Sequence, residues 1–279
     1  MSPNATLTQN STKFIGLVAG EGKLPEMLAR SAKERGYKIF ALALSQEAQN
    51  RVESYCEKVH LVAPGQLNRN YNLMKDAGVK DVVFIGKIPK LNILHNLHKL
   101  DWWAVKEISK LPNLNDDTIQ RAMGDFLDRH DMRVLSQSDF LRHLFPEYGV
   151  ITKRQPTAAE YADIDFGFKL AKEISRLDIG QTVVVKDQMI IAIEAIEGTD
   201  EAIRRGANLS RGSVVVVKVA KENRDERFDT PTVGMSTLEA MVSKGNGGIL
   251  AVEAGHTLIV DQKEMIEFAE EHGIAILAV

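Results

Sequence analysis

The densest group of chemically active side chains in this sequence lies in residues 218–229. Four cations and four carboxylates occur within these twelve residues, directly after an apolar run at 214–217 that is typical of a buried strand. Arginine and lysine hold phosphate groups, and carboxylates hold hard metal ions. A loop that only connects a strand to a helix is usually short and rich in Gly, Asn or Ser. We therefore interpret this segment as an active-site loop.

The end of the loop favours this interpretation over a simpler one. In the simpler interpretation the loop is solvated, and its arginines and aspartates pair with one another. Asp229, however, lies shortly before Pro231, whose φ is fixed, and Gly234, which can take a positive φ. A carboxylate held at the mouth of a strand-to-helix turn usually faces a ligand in α/β proteins.

Length and composition exclude several classes of protein. The chain has 279 residues, 44% hydrophobic and 26% charged, and its net charge of −3 provides no basic field for a nucleic acid. Its apolar runs are shorter than the ~20 residues that cross a bilayer. The single cysteine, Cys56, excludes an internal disulfide and fits a reducing cytoplasm. Residues 1–12 are polar and are predicted to be a flexible tail.

The first half of the chain, residues 13–147, has the pattern of a parallel sheet. Apolar runs that begin near Phe14, Lys38, Val59 and Asp81 alternate with segments of helical periodicity. This alternation predicts a Rossmann-like nucleotide-binding α/β domain with right-handed crossovers.

Two glycines, Gly20 and Gly22, follow the first predicted strand. The third glycine of a dinucleotide fingerprint is replaced by Pro25, which argues against a nicotinamide cofactor. The two glycines either form only the tight turn of the first crossover or place their amides beside a nucleotide phosphate. Both interpretations remain open. Lys87 follows the fourth predicted strand, where loops line the ligand crevice, and is a candidate phosphate or base contact.

The second half of the chain has a different pattern. Residues 148–156 break the periodicity and are predicted to be a linker, followed by a catalytic domain over 157–279. Hairpins predicted at 182–193 and 249–260 are mixed with strand–helix crossovers. The sequence therefore predicts a C-terminal mixed α/β domain.

Acidic side chains collect around the start of one predicted helix in this second half. Thr199 and Asp200 stand where the helix begins, so either can be a simple cap. Glu194 and Glu197 lie at the end of the preceding strand. If these carboxylates converge with Asp229, they form an oxygen site for Mg²⁺, which takes oxygen ligands and keeps several waters.

Several of these segments together resemble one family. From about Phe14 to its C-terminus the sequence is similar to the metal-dependent UDP-2,3-diacylglucosamine pyrophosphatases of lipid A synthesis, of the two-domain rather than the calcineurin-like type. The motifs occur in order at the expected separations: IGLVAGEGKLP at 15–25, RLDIGQ at 176–181, EAIEGTD at 194–200 and RFDTPTVG at 227–234.

The resemblance implies that water cleaves the pyrophosphate of UDP-2,3-diacylglucosamine, releasing UMP and 2,3-diacylglucosamine 1-phosphate. It implies Mg²⁺ or Mn²⁺ as cofactor, with Asp229 orienting the water or holding the metal; Asp200 and Glu197 are further candidate ligands. Besides Asp229, the catalytic candidates are the phosphate-clamping Lys218, Lys221 and Arg227. The candidate substrate-binding residues are Gly20, Gly22, Lys87, Thr199 and Thr232, together with Asp117 and Arg121, which fall in a motif shared with the family.

The expected partner is therefore a UDP-diacylglucosamine-type lipid, and no nucleic acid. We expect a cytoplasmic homodimer that touches the inner membrane face peripherally. Two other functions remain open. A non-catalytic nucleotide-binding regulatory protein would bind UDP or UMP without turnover, and a hydrolase of a soluble nucleotide sugar would lack a lipid-sized apolar cleft.

Overall fold

Two compact units make up the chain, and they divide between Phe140 and Leu141. The computed structural model of the protein describes residues 13–87, 100–112, 116–210, 212–222, 224–243 and 247–279, with only the backbone described at 116 and 117. The predicted tail, residues 1–12, lies outside the described residues.

The N-terminal unit contains the predicted Rossmann-like sheet. Its five strands are all parallel, in the order β3-β2-β1-β4-β5. The strands are β1 (Phe14–Ala19), β2 (Lys38–Ala43), β3 (Lys58–Leu61), β4 (Asp81–Ile85) and β5 (Arg133–Val134). The helices that accompany them are α1 (Leu24–Glu34), α2 (Gln46–Val52), α3 (Leu67–Asp76), α4 (Trp102–Ile108), α5 (Asp116–Asp128) and α6 (Ser138–Leu141).

The C-terminal unit contains a mixed sheet, which confirms the predicted fold class. The strand order is β6-β13-β11-β9-β7-β8; β9, β11 and β13 are parallel, whereas β6 runs antiparallel to β13, β7 to β9 and β8 to β7. The strands are β6 (Gly149–Val150), β7 (Thr182–Lys186), β8 (Met189–Ile193), β9 (Val214–Lys218), β11 (Gly248–Val252) and β13 (Ile274–Ala278), with a separate parallel pair of β10 (Thr232–Val233) and β12 (Leu258–Ile259).

Helices cover both faces of this sheet. They are α7 (Ala158–Arg176), α8 (Thr199–Ser210), α9 (Met235–Met241) and α10 (Gln262–Glu271). Val215 and Val217 of β9 pack with α7, whereas Val214 and Val216 pack with α8, α9 and α10. Because β9 is apolar on both faces, it forms a central strand of the sheet, as continuous Val and Ile runs do in parallel sheets.

Two details of the predicted C-terminal half are corrected. Residues 249–260 do not form a hairpin, because β11 is fully buried and pairs in parallel with β9 and β13, while β12 pairs with β10. The segment 148–156, predicted as a linker, contains β6, which adds an antiparallel edge strand to β13. A capping box begins α7, where Thr157 and Glu160 exchange hydrogen bonds.

Candidate functional site

A row of polar side chains lies at the end of the C-terminal sheet. Lys218, the last residue of β9, is paired directly with Thr182 of β7, and Glu194, just after β8, donates its N–H to the Thr182 carbonyl at 2.9 Å. Two residues further into the sheet, Val216 and Val184 face α8 and α9. Since side chains alternate along a strand, the polar row faces the same helices. We call Lys218, Thr182 and Glu194 the polar row.

All three members of the polar row are buried, and two carry charges that need compensation. The exposed fractions are 6% for Lys218, 0% for Thr182 and 9% for Glu194. A buried charge is stable only when it is paired or hydrogen-bonded. A network through Thr199, the first residue of α8, provides this compensation.

Hydrogen bonds through Thr199 connect Lys218 to the Glu194 carboxylate. The Nζ of Lys218 donates to Thr199 Oγ1 at 3.1 Å and to the carbonyl oxygen of Thr232 at 2.9 Å. Thr199 Oγ1 donates in turn to Glu194 Oε1 at 2.8 Å, and the Gln181 N–H donates to Glu194 Oε2 at 3.3 Å. The structure thus brings together three predicted site residues, Lys218, Thr199 and Thr232, at the N-terminus of a helix, where the macrodipole favours an anion.

Asp200, the next predicted residue, extends the network to α9. Its Oδ1 accepts a long hydrogen bond of 3.4 Å from Thr237 Oγ1. The first turn of α8 therefore carries two of the predicted residues, Thr199 toward the polar row and Asp200 toward α9.

The charged loop contains the internal pairing that the simpler interpretation predicted. Arg227 holds Asp225 with two parallel hydrogen bonds, from Nε to Oδ1 at 2.9 Å and from Nη2 to Oδ2 at 2.7 Å. Lys221 Nζ lies 2.5 Å from Asp178 Oδ1. A phosphate would have to compete with these carboxylates for the two cations.

Asp229 lies at the end of the tight turn that this pairing stabilises. Its backbone N–H donates to the Asp225 carbonyl at 3.0 Å, and Asp229 is half-buried. The turn is followed by Pro231 and β10, so Asp229 lies three residues before Thr232, whose carbonyl holds Lys218.

The expected convergence of Glu197, Asp200 and Asp229 is not present. Within the described parts of the chain, no three His, Cys, Asp or Glu side chains form a group that could hold a metal. Glu197 instead pairs with Arg205 Nη2 at 2.6 Å. Its own backbone N–H and Arg205 lower the pKa of the Glu197 carboxyl. The Glu197 carboxylate is therefore engaged in an ion pair with Arg205 of α8.

In the N-terminal unit, the geometry decides the role of Gly20. Its N–H donates to the Ile85 carbonyl at 2.8 Å, and a Cβ at this position would lie 2.6 Å from the carbonyl oxygen of Lys87. Glu21 and Lys87 exchange two backbone hydrogen bonds, of 2.8 and 3.0 Å. The amide of Gly20 is thus used to join the ends of β1 and β4, and the tight-turn interpretation accounts for it.

The other predicted residues of this unit are more open to solvent. Gly22 has a φ of +98°, and a Cβ added there would meet no atom within 4 Å among the described residues. Lys87 is exposed. Asp117 and Arg121 are separated by one helical turn on α5; Arg121 is exposed, and the Asp117 side chain lies outside the described residues. These four residues therefore stay predictions.

The prediction from sequence missed residues that brace the site. Thr182 belongs to the polar row, and Glu253 anchors the start of the charged loop: its carboxylate accepts from Lys172 Nζ at 2.7 Å and from the Ala220 N–H at 2.7 Å. The Glu253 N–H also donates to the Lys218 carbonyl at 3.1 Å. Their positions in the sequence could have identified them, since Thr182 begins one buried strand and Glu253 follows another.

Comparison with known proteins assigns the family. The LpxI N-terminal domain matches residues 14–144, and the LpxI C-terminal domain matches residues 147–277. This chain belongs to the LpxI family. A relative from Caulobacter vibrioides, named UDP-2,3-diacylglucosamine pyrophosphatase LpxI, is 29% identical over 283 residues, which cover 95% of this chain and 97% of the relative. The resemblance that the motifs indicated is therefore confirmed.

Other similarities cover less of the chain or are weaker. The bifunctional purine biosynthesis protein PurH of Mesorhizobium japonicum is 31% identical over 137 residues, which is 47% of this chain and 24% of that protein. Among solved structures, the ADP complex of PurK, an N5-carboxyaminoimidazole ribonucleotide synthetase, matches 72% of this chain and 36% of its own with 17% identity and a TM-score of 0.29. The assignment to the LpxI family rests on the two domain matches.

Proposed function

We propose that this LpxI-family protein hydrolyses the pyrophosphate bond of UDP-2,3-diacylglucosamine to UMP and 2,3-diacylglucosamine 1-phosphate in lipid A biosynthesis. The Caulobacter relative carries this activity in its name and matches nearly the full chain. The observation that carries the proposal is the buried Lys218–Thr199–Glu194 network, which lies at a helix N-terminus. Through the Thr232 carbonyl, which accepts from Lys218, the network joins the motifs at 194–200 and 227–234.

Binding of the diphosphate would use two sources of positive potential at one place. The first is the Lys218 ammonium, held by Thr199 and by the Thr232 carbonyl. The second is the N-terminus of the twelve-residue helix α8, whose first amides lack partners within the helix. Because Lys218 is already ordered by protein groups, little reorganisation is needed when charge develops on a phosphate oxygen.

Asp229 is the proposed orienting group for water. The water oxygen forms a bond to one phosphorus, the bond from that phosphorus to the bridging oxygen breaks, and the water proton passes to the Asp229 carboxylate. Lys221 and Arg227 would contact phosphate oxygens only after leaving Asp178 and Asp225. We therefore assign Lys218 the principal role in phosphate binding.

A divalent cation, Mg²⁺ or Mn²⁺, is part of the proposal. Mg²⁺ is usually held by one or two carboxylates together with substrate phosphates and waters, rather than by a complete protein cage. We assign this role to a single carboxylate, that of Asp229 or that of Asp200, with substrate phosphates and waters as the other ligands. Glu197 does not fit, because its carboxylate is paired with Arg205. When bound, the ion would neutralise charge on the phosphate oxygens.

The proposed setting is the cytoplasm, with peripheral contact to the inner membrane and a homodimeric assembly. Among the helices that the structure describes, each is too short or too polar to cross a bilayer.

The decisive experiment is to incubate the purified protein with UDP-2,3-diacylglucosamine and measure UMP, with Mg²⁺ and with excess chelator. We expect UMP release that depends on the metal, that chelator abolishes without unfolding the protein, and that Mg²⁺ or Mn²⁺ restores. Binding of UMP without turnover under all conditions would favour a regulatory protein. Equal turnover of UDP-glucose would favour a soluble nucleotide sugar as substrate.

A further inference from the structure

An apolar cavity lies at the carboxyl end of the N-terminal sheet. Its floor is a row of three side chains on adjacent strands: Val18 of β1 is in register with Leu42 of β2 on one side and with Phe84 of β4 on the other. We call Val18, Leu42 and Phe84 the apolar row. In open parallel sheets, ligands bind at this end of the strands.

Two helices form the walls of the cavity. Leu67 and Tyr71 of α3 line one wall, and Met123 and Phe126 of α5 line the other. Val62, just after β3, also lines the cavity and is buried. These side chains offer hydrocarbon and aromatic surface, so a ligand would be held by the hydrophobic effect and dispersion.

The polar side chain of Asn70 of α3 also lines the cavity and is 8% exposed. Its Nδ2 donates to the Ala63 carbonyl at 2.9 Å, which fixes the orientation of the amide. Its Oδ1 is buried and has no hydrogen-bond partner within the described residues. A buried acceptor without a donor costs about 1–3 kcal/mol. The site therefore favours a ligand that combines an apolar part with one hydrogen-bond donor.

The size of the cavity separates two classes of ligand. Its volume is about 70 Å³, whereas a cavity that binds one benzene ring has a volume of about 150 Å³. A nucleobase ring is too large for this volume. A short stretch of alkyl chain fits, and the flexible side chain of Met123 can adjust to a longer stretch.

We propose that this cavity of the N-terminal unit binds the amide-linked acyl chain of the substrate, with Asn70 Oδ1 accepting a hydrogen bond from the amide N–H. This inference rests on the proposed function, since a 2-acylated glucosamine carries its chain on nitrogen. The amide supplies one donor next to an alkyl chain, which is the combination that the lining favours. The ester-linked chain lacks that donor.

Filling the cavity tests the chain-binding role. Val62→Phe places a ring in the cavity and should raise the KM for long-chain UDP-2,3-diacylglucosamine about tenfold, the effect of leaving about two methylene groups in water. The affinity for UMP should not change. Val105→Phe, the same substitution at an exposed position of α4, is the matched control and should leave KM unchanged. If Val62→Phe does not fold, Met123→Trp fills the cavity from the opposite wall.

A pair of probes tests Asn70 without any turnover. N-dodecanoylglucosamine and 2-O-dodecanoylglucose carry the same chain at the same carbon, attached through an amide in the first and through an ester in the second. By calorimetric titration the wild-type protein should bind the amide about fivefold more tightly, the value of one hydrogen bond. Asn70→Leu should abolish this preference. Equal binding of both probes by the wild type would overturn the role of Asn70.

These measurements also separate this proposal from the proposed function. If the protein releases no UMP from UDP-2,3-diacylglucosamine but Val62→Phe weakens binding of N-dodecanoylglucosamine, the proposed function fails and the cavity assignment stands. The cavity assignment is overturned if turnover is normal and neither Val62→Phe nor Met123→Trp has an effect. The quantities that would then stay unchanged are the dependence of KM on chain length and the binding of the probes. The assignment is also overturned if Val62→Phe weakens UMP binding instead, which would indicate a uridine site.

Discussion

The two units have similar α/β frameworks, but the functional edge of the N-terminal sheet is apolar and that of the C-terminal sheet is polar. In the N-terminal unit the apolar row forms the floor of a cavity where one buried acceptor, Asn70 Oδ1, has no donor within the described residues. In the C-terminal unit the polar row lies at the N-terminus of α8, and its two charged members, Lys218 and Glu194, are joined through Thr199. An edge of the first kind suits hydrocarbon, and one of the second kind suits phosphate.

The difference shows how one architecture provides two kinds of binding. At both edges the strands below are apolar and buried, so the framework does not distinguish them. What differs is the type of residue at the strand ends that form each edge. The chemistry of each unit therefore depends on a few side chains, and substitutions there should affect the two units differently.

The largest effect is expected for Asp229→Asn in the charged loop. The substitution keeps the size of the side chain but removes its charge, so kcat should fall by about 100-fold or more. Substrate affinity should be kept or rise, because a carboxylate repels a diphosphate. Steady-state kinetics with UDP-2,3-diacylglucosamine measures both quantities.

Asp225→Asn makes the same chemical change in the same turn and serves as its control. Asp225 is paired with Arg227, so we expect this variant to loosen the loop and lower kcat by about tenfold at most. If Asp229→Asn keeps near wild-type turnover and metal dependence, the carboxylate is structural and the catalytic assignment passes to Asp200.

The next effect concerns the buried lysine of the polar row. Lys218→Met leaves the Glu194 carboxylate without its nearby cation, so kcat/KM should fall by about 10- to 100-fold and the free energy of unfolding by about 1–3 kcal/mol. Lys221→Met removes a lysine paired with Asp178 at the surface and should cost less than about 1 kcal/mol. Denaturant unfolding and kinetics on both variants test the contrast. Equal losses of kcat/KM and of unfolding free energy in the two variants would show that Lys218 contributes no more than a surface lysine.

A smaller and purely structural effect is expected at the N-terminal glycines. Gly20→Ala would place a Cβ 2.6 Å from the Lys87 carbonyl oxygen, and we expect it to lower the free energy of unfolding by about 2–3 kcal/mol. Gly22→Ala meets no neighbouring atom among the described residues but keeps a φ of +98°, which should cost about 1 kcal/mol. The reverse order in urea denaturation would contradict the assignment of Gly20 to the joint between β1 and β4.

The smallest effect is expected for Glu197→Gln. Because Glu197 is paired with Arg205 rather than placed in a metal site, kcat and its Mg²⁺ dependence should stay within about twofold of wild type. The lowered pKa of Glu197 means that its stabilising pair exists above the unfolded pKa and is lost as pH falls through the folded pKa. The variant should therefore lose a little stability at neutral pH and show less acid destabilisation. A strong rise in the Mg²⁺ requirement would restore Glu197 as a ligand.

Much of this protein follows from the sequence alone. Alternating apolar and helical segments determined the parallel N-terminal sheet, and the continuous apolar run of β9 determined a buried strand, because periodicity and burial are local properties. The motifs were sufficient to identify the family. They also pointed to Lys218, Thr199 and Thr232, which the fold brings into contact.

Only the tertiary structure decided how these residues pair. Residues 249–260 look like a hairpin in sequence, but the pairing of β11 depends on strands distant along the chain. Glu197 has the spacing of a ligand, yet Arg205 on the next turns of α8 takes its carboxylate. The apolar cavity is assembled from strands, the segments that follow them and two helices, so no local pattern marks it. Contacts between distant segments depend on packing of the whole unit, which the order of residues does not display.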